Sequence, residues 1–156
     1  MKTRAFIFSI FLLALVACVP DNVPAPTSTS GILIDQAVVR LPGEVMPPLN
    51  ANSSLDGYLR IKNSGTSDDS LVGIQASFAG TAMLDKSSVD SNGVARMEMV
   101  TAIKIPAGQT VELKPGDLHI MFTDLSHELK PGILVTLVLQ FKKAGFINVQ
   151  AQVINQ

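Results

Sequence analysis

The chain has 156 residues, of which 47% are hydrophobic and 16% charged, and its mean hydropathy is +0.34. This composition excludes an intrinsically disordered chain, which combines low hydrophobicity with high net charge. A formal net charge of −1, no Trp and one Tyr argue against nucleic-acid binding, which needs a basic or aromatic surface. One Cys excludes an intrachain disulfide, and two His leave few ways to build a metal or catalytic centre.

The N-terminal residues 1–17 have the pattern of an export signal. Lys2 and Arg4 precede an apolar run at residues 5–16, which as a helix would span about 18 Å, too short to cross a bilayer. Cys18 follows small residues at the end of this run, an arrangement that resembles the lipobox of bacterial lipoproteins. The resemblance implies cleavage before Cys18 and a lipid anchor on that residue, at the outer face of the cytoplasmic membrane. A plain secretory signal with an incidental thiol is the alternative.

Residues 18–30 are rich in Pro, Ser and Thr and have no periodicity, which predicts a flexible tether to a β domain at residues 31–156. In that domain short apolar runs alternate with Gly- and Pro-rich turns. This pattern predicts an all-β antiparallel sandwich or barrel of about eight or nine strands. The run at residues 133–141 is apolar on both faces, which predicts a central strand covered on both sides. The predicted strands are 32–41, 55–61, 71–78, 94–105, 111–113, 118–125, 133–141 and 146–154.

Two of the predicted strands carry potential ligands for a soft metal ion. Apolar residues alternate along the strand that begins at Leu118, so His119 and Met121 project together from the opposite face, about 7 Å apart. Met97 and Met99 likewise share one face of their strand. Imidazole and thioether groups are neutral, soft ligands that favour Cu(I). Outside the cytoplasm a thiolate ligand is exposed to oxidation, whereas a thioether cannot form a disulfide. The alternative is that the methionines only fill the core.

Most of the domain, from about residue 58 to residue 153, resembles the periplasmic copper(I) chaperone family called PCu(A)C. The metal motif of that family ends in a Met that twenty-one residues separate from a His-x-Met triplet. Met97, His119 and Met121 have this spacing here. The resemblance implies a Greek-key, cupredoxin-like β-barrel that carries Cu(I) toward the copper centre of cytochrome c oxidase. The matching segments are 57–63 (GYLRIKN), 92–97 (NGVARM), 105–108 (IPAG) and 111–121 (VELKPGDLHIM).

The sequence departs from this family at the first ligand position, ten residues before Met97. Lys86 stands there instead of His or Met, and a protonated amine is no metal ligand. Alternation from Lys86 puts the nearby Met83 on the other face of the strand. Met46 lies in a loop that the sequence does not place relative to the site.

Three states of the site therefore stay open. It holds Cu(I) with Met97, His119 and Met121, or it is rebuilt with Met99 as an auxiliary ligand, or it is lost. In the last case the protein is a metal-free binding or structural module at the cell surface. His127 is interpreted as a solvated loop residue.

An enzyme is not expected, because the chain has no Gly-x-Ser-x-Gly elbow and no other nucleophile motif. The expected partners are a copper acceptor protein and, through Cys18, the membrane.

Overall fold

The computed structural model describes residues 27–29, 31–43 and 53–155. Within these ranges the chain forms eleven β-strands, and no helix is long and apolar enough to cross a membrane. The strands are β1 Thr27–Thr29, β2 Ile32–Arg40, β3 Leu55–Asn63, β4 Asp69–Ala76, β5 Ala79–Val89, β6 Ala95–Met99, β7 Ile103–Ile105, β8 Thr110–Leu113, β9 Leu118–Leu125, β10 Leu134–Phe141 and β11 Gly145–Ile154.

The strands hydrogen-bond in the order β6-β5-β9-β3-β2-β11-β10-β4-β7, with β1 beside β2 and β8 beside β3. The pairing of β11 with β2 is parallel, whereas β5 pairs antiparallel with both β6 and β9. Although β4 and β5 are consecutive in the chain, they lie far apart in this order, so the sheet folds over on itself around one core. The predicted all-β sandwich is confirmed.

The core orients β9, the strand that carries His119. Ile120 and Phe122 alternate with His119 and are fully buried. The Phe122 ring packs against Phe78, with ring centroids 5.0 Å apart and planes tilted by 57°. Gly57 on β3 leaves room for this packing, because a Cβ there would lie 2.7 Å from Cε2 of Phe122. Since this face of β9 is fixed in the core, His119 and Met121 project from the other face.

Two segments form strands where the sequence predicts none. Thr27–Thr29 falls within the predicted tether of residues 18–30 but forms β1, which pairs antiparallel with β2. The chain can turn back because Gly31 adopts a φ of 83°, which few other residues tolerate. Ala79–Val89 forms β5, which alternation alone does not reveal because Ala, Gly, Thr and Ser occupy much of it. The signal segment, Cys18 and Met46 lie outside the described residues.

Two other strand predictions need correction. The segment 94–105 is not one strand: β6 pairs with β5 at one end of the strand order, and β7 pairs with β4 at the other. β10 is an interior strand between β11 and β4, as predicted, but it is not covered on both sides. Only alternate residues of β10 are buried, and Leu134 is exposed. The continuous apolar run predicts burial of both faces of β10, but apolar residues such as Leu134 lie on a face that no layer covers.

Candidate metal site

His119 and Met121 lie on one face of β9, as the alternation predicts. His119 is buried, with 4% of its surface exposed, and Met121 is partly buried. Pro115 and Gly116 are the central residues of the turn between β8 and β9, which both pair with β3, and Gly116 has the positive φ of 77° that a type II turn needs at this position. The N–H of Asp117 donates to the carbonyl of Lys114 to close the turn, which fixes where His119 enters the sheet.

The imidazole of His119 is oriented by a backbone carbonyl. Its Nδ1 lies 2.9 Å from the carbonyl oxygen of Asp117. Because a carbonyl oxygen only accepts hydrogen bonds, Nδ1 carries the proton, and in the neutral ring Nε2 keeps its lone pair. Histidines that bind metals commonly use their second nitrogen in this way, since the hydrogen bond fixes both tautomer and ring orientation. His119 is therefore arranged to offer Nε2 as a ligand.

Met97 and Met99 lie on the same face as His119 but on β6, with β5 between them and β9. Met99 is directly opposite Asp85, which in turn is directly opposite His119. Directly paired residues of an antiparallel sheet point to the same side, and two strand spacings amount to about 10 Å. Met97 and Met99 are 58% and 65% exposed. The structure thus places His119 and Met121 next to each other and the two β6 methionines across β5 from them.

β5 itself presents residues to this face. Met83 is directly opposite Met121, and Asp85 is directly opposite His119. Asp85 is buried, with 3% exposure, and its Oδ2 has no hydrogen-bond partner among the described residues. We call the set Met83, Asp85, Met97, Met99, His119 and Met121 the methionine face.

Lys86 does not belong to the methionine face. It pairs with Glu98 on β6 and Leu118 on β9, and it is exposed. Leu84, two residues earlier on the same side of β5, is buried in the core. The alternation between Lys86 and Met83 expected from the sequence is present, and His119 and Met121 lie on the Met83 side. Motif spacing does not bring Met83 and Asp85 next to Met121 and His119, whereas the register of β5 against β9 does.

His127 lies apart from this face. It is exposed after the end of β9, and its Nδ1 is 2.9 Å from the hydroxyl oxygen of the adjacent Ser126. The interpretation of His127 as a solvated loop residue agrees with this position.

Residues 32–153 match the family model described as "Putative lipoprotein LpqE-like". The chain belongs to the LpqE-like family. A curated relative of this LpqE-like chain is the Leifsonia xyli subsp. xyli (strain CTCB07) protein named "Putative lipoprotein Lxx21020". The two are 30% identical over 144 residues, which cover 88% of this chain and 81% of the relative.

Solved structures of PCuAC domains share the fold of this LpqE-like chain. The copper-bound PCuAC domain from PmoF2 has a TM-score of 0.67 at 21% identity and covers 85% of this chain and 99% of its own. The solution structure of CuI-DR1885 from Deinococcus radiodurans has a TM-score of 0.58 at 27% identity, covering 89% of this chain and 81% of its own. The predicted resemblance to PCu(A)C and its cupredoxin-like fold are confirmed.

Proposed function

We propose that this LpqE-like protein is a copper chaperone of the bacterial cell envelope that binds Cu(I) through Met97, His119 and Met121. The observation that carries the proposal is the imidazole of His119. It is buried and held at Nδ1 by the carbonyl of Asp117, so its Nε2 is kept for a ligand beside the thioether of Met121. The copper-bound state of the PmoF2 domain and the CuI state of DR1885 support the same cargo.

The donor set favours a monovalent soft ion. Thioether sulfur and neutral imidazole bring no charge and need no deprotonation, so they bind Cu(I) without releasing a proton. The hard ions Mg²⁺ and Ca²⁺ prefer several oxygen ligands, which Met97, His119 and Met121 do not offer. Selectivity for Cu(I) therefore follows from ligand chemistry.

The exposure gradient across the methionine face suits transfer by ligand exchange. His119 is buried, whereas Met97 and Met99 are more than half exposed at 58% and 65%. An incoming ligand of an acceptor protein can approach from the β6 side and replace Met97 while His119 and Met121 still hold the ion. Copper stays Cu(I) throughout, so the transfer needs no electron donor or acceptor. We propose an acceptor such as the copper centre of cytochrome c oxidase.

The proposed anchor supports delivery at a membrane. Cys18 at the end of the apolar segment has the position of a lipidated cysteine, and the family model and the Leifsonia xyli relative both carry lipoprotein names. A lipid on Cys18 would hold the domain at the outer face of the cytoplasmic membrane. Residues 1–17 would be removed as the signal peptide.

The test is anaerobic competition for Cu(I) between a chromogenic chelator and the full chain in detergent. The parent carries Cys18→Ser, because a free thiol would itself bind Cu(I). We expect one Cu(I) per parent chain and at least 100-fold weaker binding after His119→Ala and Met121→Ala are combined. His127→Ala, which removes the exposed histidine, is the control and should bind like the parent. Equal binding by the double variant and the parent would contradict the proposed site, whereas a parent chain that binds no Cu(I) would leave a metal-free module.

A further inference from the structure

Asp85 occupies the centre of the methionine face. It lies on β5 directly between Met99 on β6 and His119 on β9. Two strand spacings separate β6 from β9, so an ion shared by ligands of both strands would be held above β5. The residue of β5 beneath that position is Asp85.

The carboxylate of Asp85 is buried, and one of its two oxygens has no hydrogen-bond partner among the described residues. This oxygen is Oδ2, and the residue is 3% exposed. Buried carboxylates are normally paired or hydrogen-bonded, as Asp69 is here with three backbone N–H groups. Lys86, the adjacent cation, projects to the opposite face and is exposed. A buried carboxylate with one unpartnered oxygen, on the same face as His119 and Met121, is placed to face a cation bound by those neutral ligands.

We infer that the carboxylate of Asp85 supplies the negative charge that balances the bound cation. The inference rests on the proposed function. Imidazole and thioether ligands leave the single positive charge of Cu(I) uncompensated, and one carboxylate buried beside His119 cancels it. Asp85 acts through charge and not as a ligand, because Cu(I) prefers sulfur and nitrogen to hard carboxylate oxygen.

Asp85→Asn tests this inference, since it removes the charge and keeps the shape. In the Cys18→Ser chain we expect at least tenfold weaker Cu(I) binding by chelator competition. The metal-free variant should be as resistant to urea as the parent or more so, because an uncompensated buried charge is lost. Glu98→Gln is the matched control: it removes an exposed negative charge on β6, on the face opposite Met97, and should change the affinity less than twofold.

Two outcomes would overturn the role of Asp85. One is unchanged Cu(I) affinity in Asp85→Asn while the double variant at His119 and Met121 loses the metal, which leaves the proposed function intact. The other is a metal-free Asp85→Asn chain that is much less stable than the parent, which would show that the carboxylate is a structural group. A parent chain that binds no Cu(I) would overturn the proposed function and this inference together.

The pairing of Met83 with Met121 carries a second inference. Met83 and Met121 are directly opposite each other and both are partly buried. Such pairs bring side chains within about 5 Å at Cβ, closer than any β6 residue comes to Met121. We propose that Met83 provides the soft ligand that Lys86 cannot provide. Met83 lies three residues before Lys86 in the chain, on the face that also carries His119 and Met121.

Methionine methyl NMR tests the role of Met83 directly. In a Cys18→Ser chain with ¹³C-labelled methionine methyl groups, Ag(I) serves as a substitute for Cu(I) that is equally diamagnetic but is not oxidised in air. We expect the Met83 methyl signal to shift together with that of Met121, and Met83→Leu to weaken Cu(I) binding at least tenfold. Met99→Leu, the same change on the exposed strand, should have a smaller effect. A Met83 signal that stays in place while the Met121 signal shifts would overturn this inference without touching the proposed function.

Discussion

Asp69 fastens the start of β4 to the turn between β10 and β11. Its carboxylate accepts backbone N–H groups from Ser70, Lys143 and Ala144 at 2.7–2.9 Å. Burial acts to raise the pKa of Asp69, but these three hydrogen bonds outweigh it and hold the pKa below its ordinary value. The charged carboxylate is therefore the form that the fold stabilises.

Asp69→Asn should destabilise the domain by about 1–3 kcal/mol, since an amide offers one acceptor oxygen and turns a donor toward the backbone N–H groups. The folded pKa is depressed, so this stabilisation is complete above the unfolded value of about 3.9 and is lost as pH falls through the folded pKa. Urea unfolding between pH 7 and pH 2.5 should show the gap between parent and variant closing only at the acid end. Asp124→Asn, at an exposed position, is the control. A gap independent of pH would contradict the role of the charge.

Gly57 is required by close packing. A Cβ would lie 2.7 Å from the Phe122 ring and 3.2 Å from Ile120, and both side chains are fully buried. Gly57→Ala should cost about 1–3 kcal/mol of unfolding free energy, because the core cannot yield without strain. Gly73→Ala is the matched control, as its Cβ would meet only the Gln140 side chain, which is exposed and flexible. Thermal or urea unfolding measures the difference, and equal stability of the two variants would refute this explanation.

At the scale of elements, β5, β6 and β9 show what alternation does and does not determine. The pairs His119/Met121 and Met97/Met99 follow from the sequence, because a strand has a period of two. How neighbouring strands align is set by turns and long-range pairing, which local pattern does not contain. The position of Met83 opposite Met121 and of Asp85 opposite His119 therefore required the structure. The sequence does not predict β5 as a strand for a different reason: few of its residues are large and apolar.

Register also decides what a ligand at position 86 would do. Lys86→His restores the residue type of the family motif, but the side chain would project with Leu84 and Leu118, away from Met121. We expect the Cu(I) affinity measured by chelator competition to stay within twofold of the parent. Lys86→Gln, which removes the charge without adding a ligand, is the comparison. A gain of tenfold or more in the His variant alone would show that this end of β5 can rotate to bring residue 86 to the methionine face.

At the scale of the whole molecule, the all-β class and the sandwich were predictable from turn spacing and apolar runs. The path of the chain between the two layers was less predictable from these patterns. Residues 94–105 read as one strand, yet the chain leaves β6 after Met99 and begins β7 at Ile103, at the other end of the strand order. Both segments are locally extended, and only their different partners, β5 and β4, separate them. Partner choice depends on the assembled core.

The separation of β6 from β9 predicts how metal affects stability. An ion held by Met97, His119 and Met121 would cross-link β6 and β9 over β5 and bind only the folded arrangement. At a free Cu(I) concentration of about 100 times the Kd, the linkage contributes about 2.7 kcal/mol. For a domain of this size that is a rise of roughly 10 °C in Tm. Anaerobic thermal melts of the Cys18→Ser chain should show this rise, and His119→Ala should show almost none. An equal rise in both chains would mean that copper stabilises the fold at some place other than the methionine face.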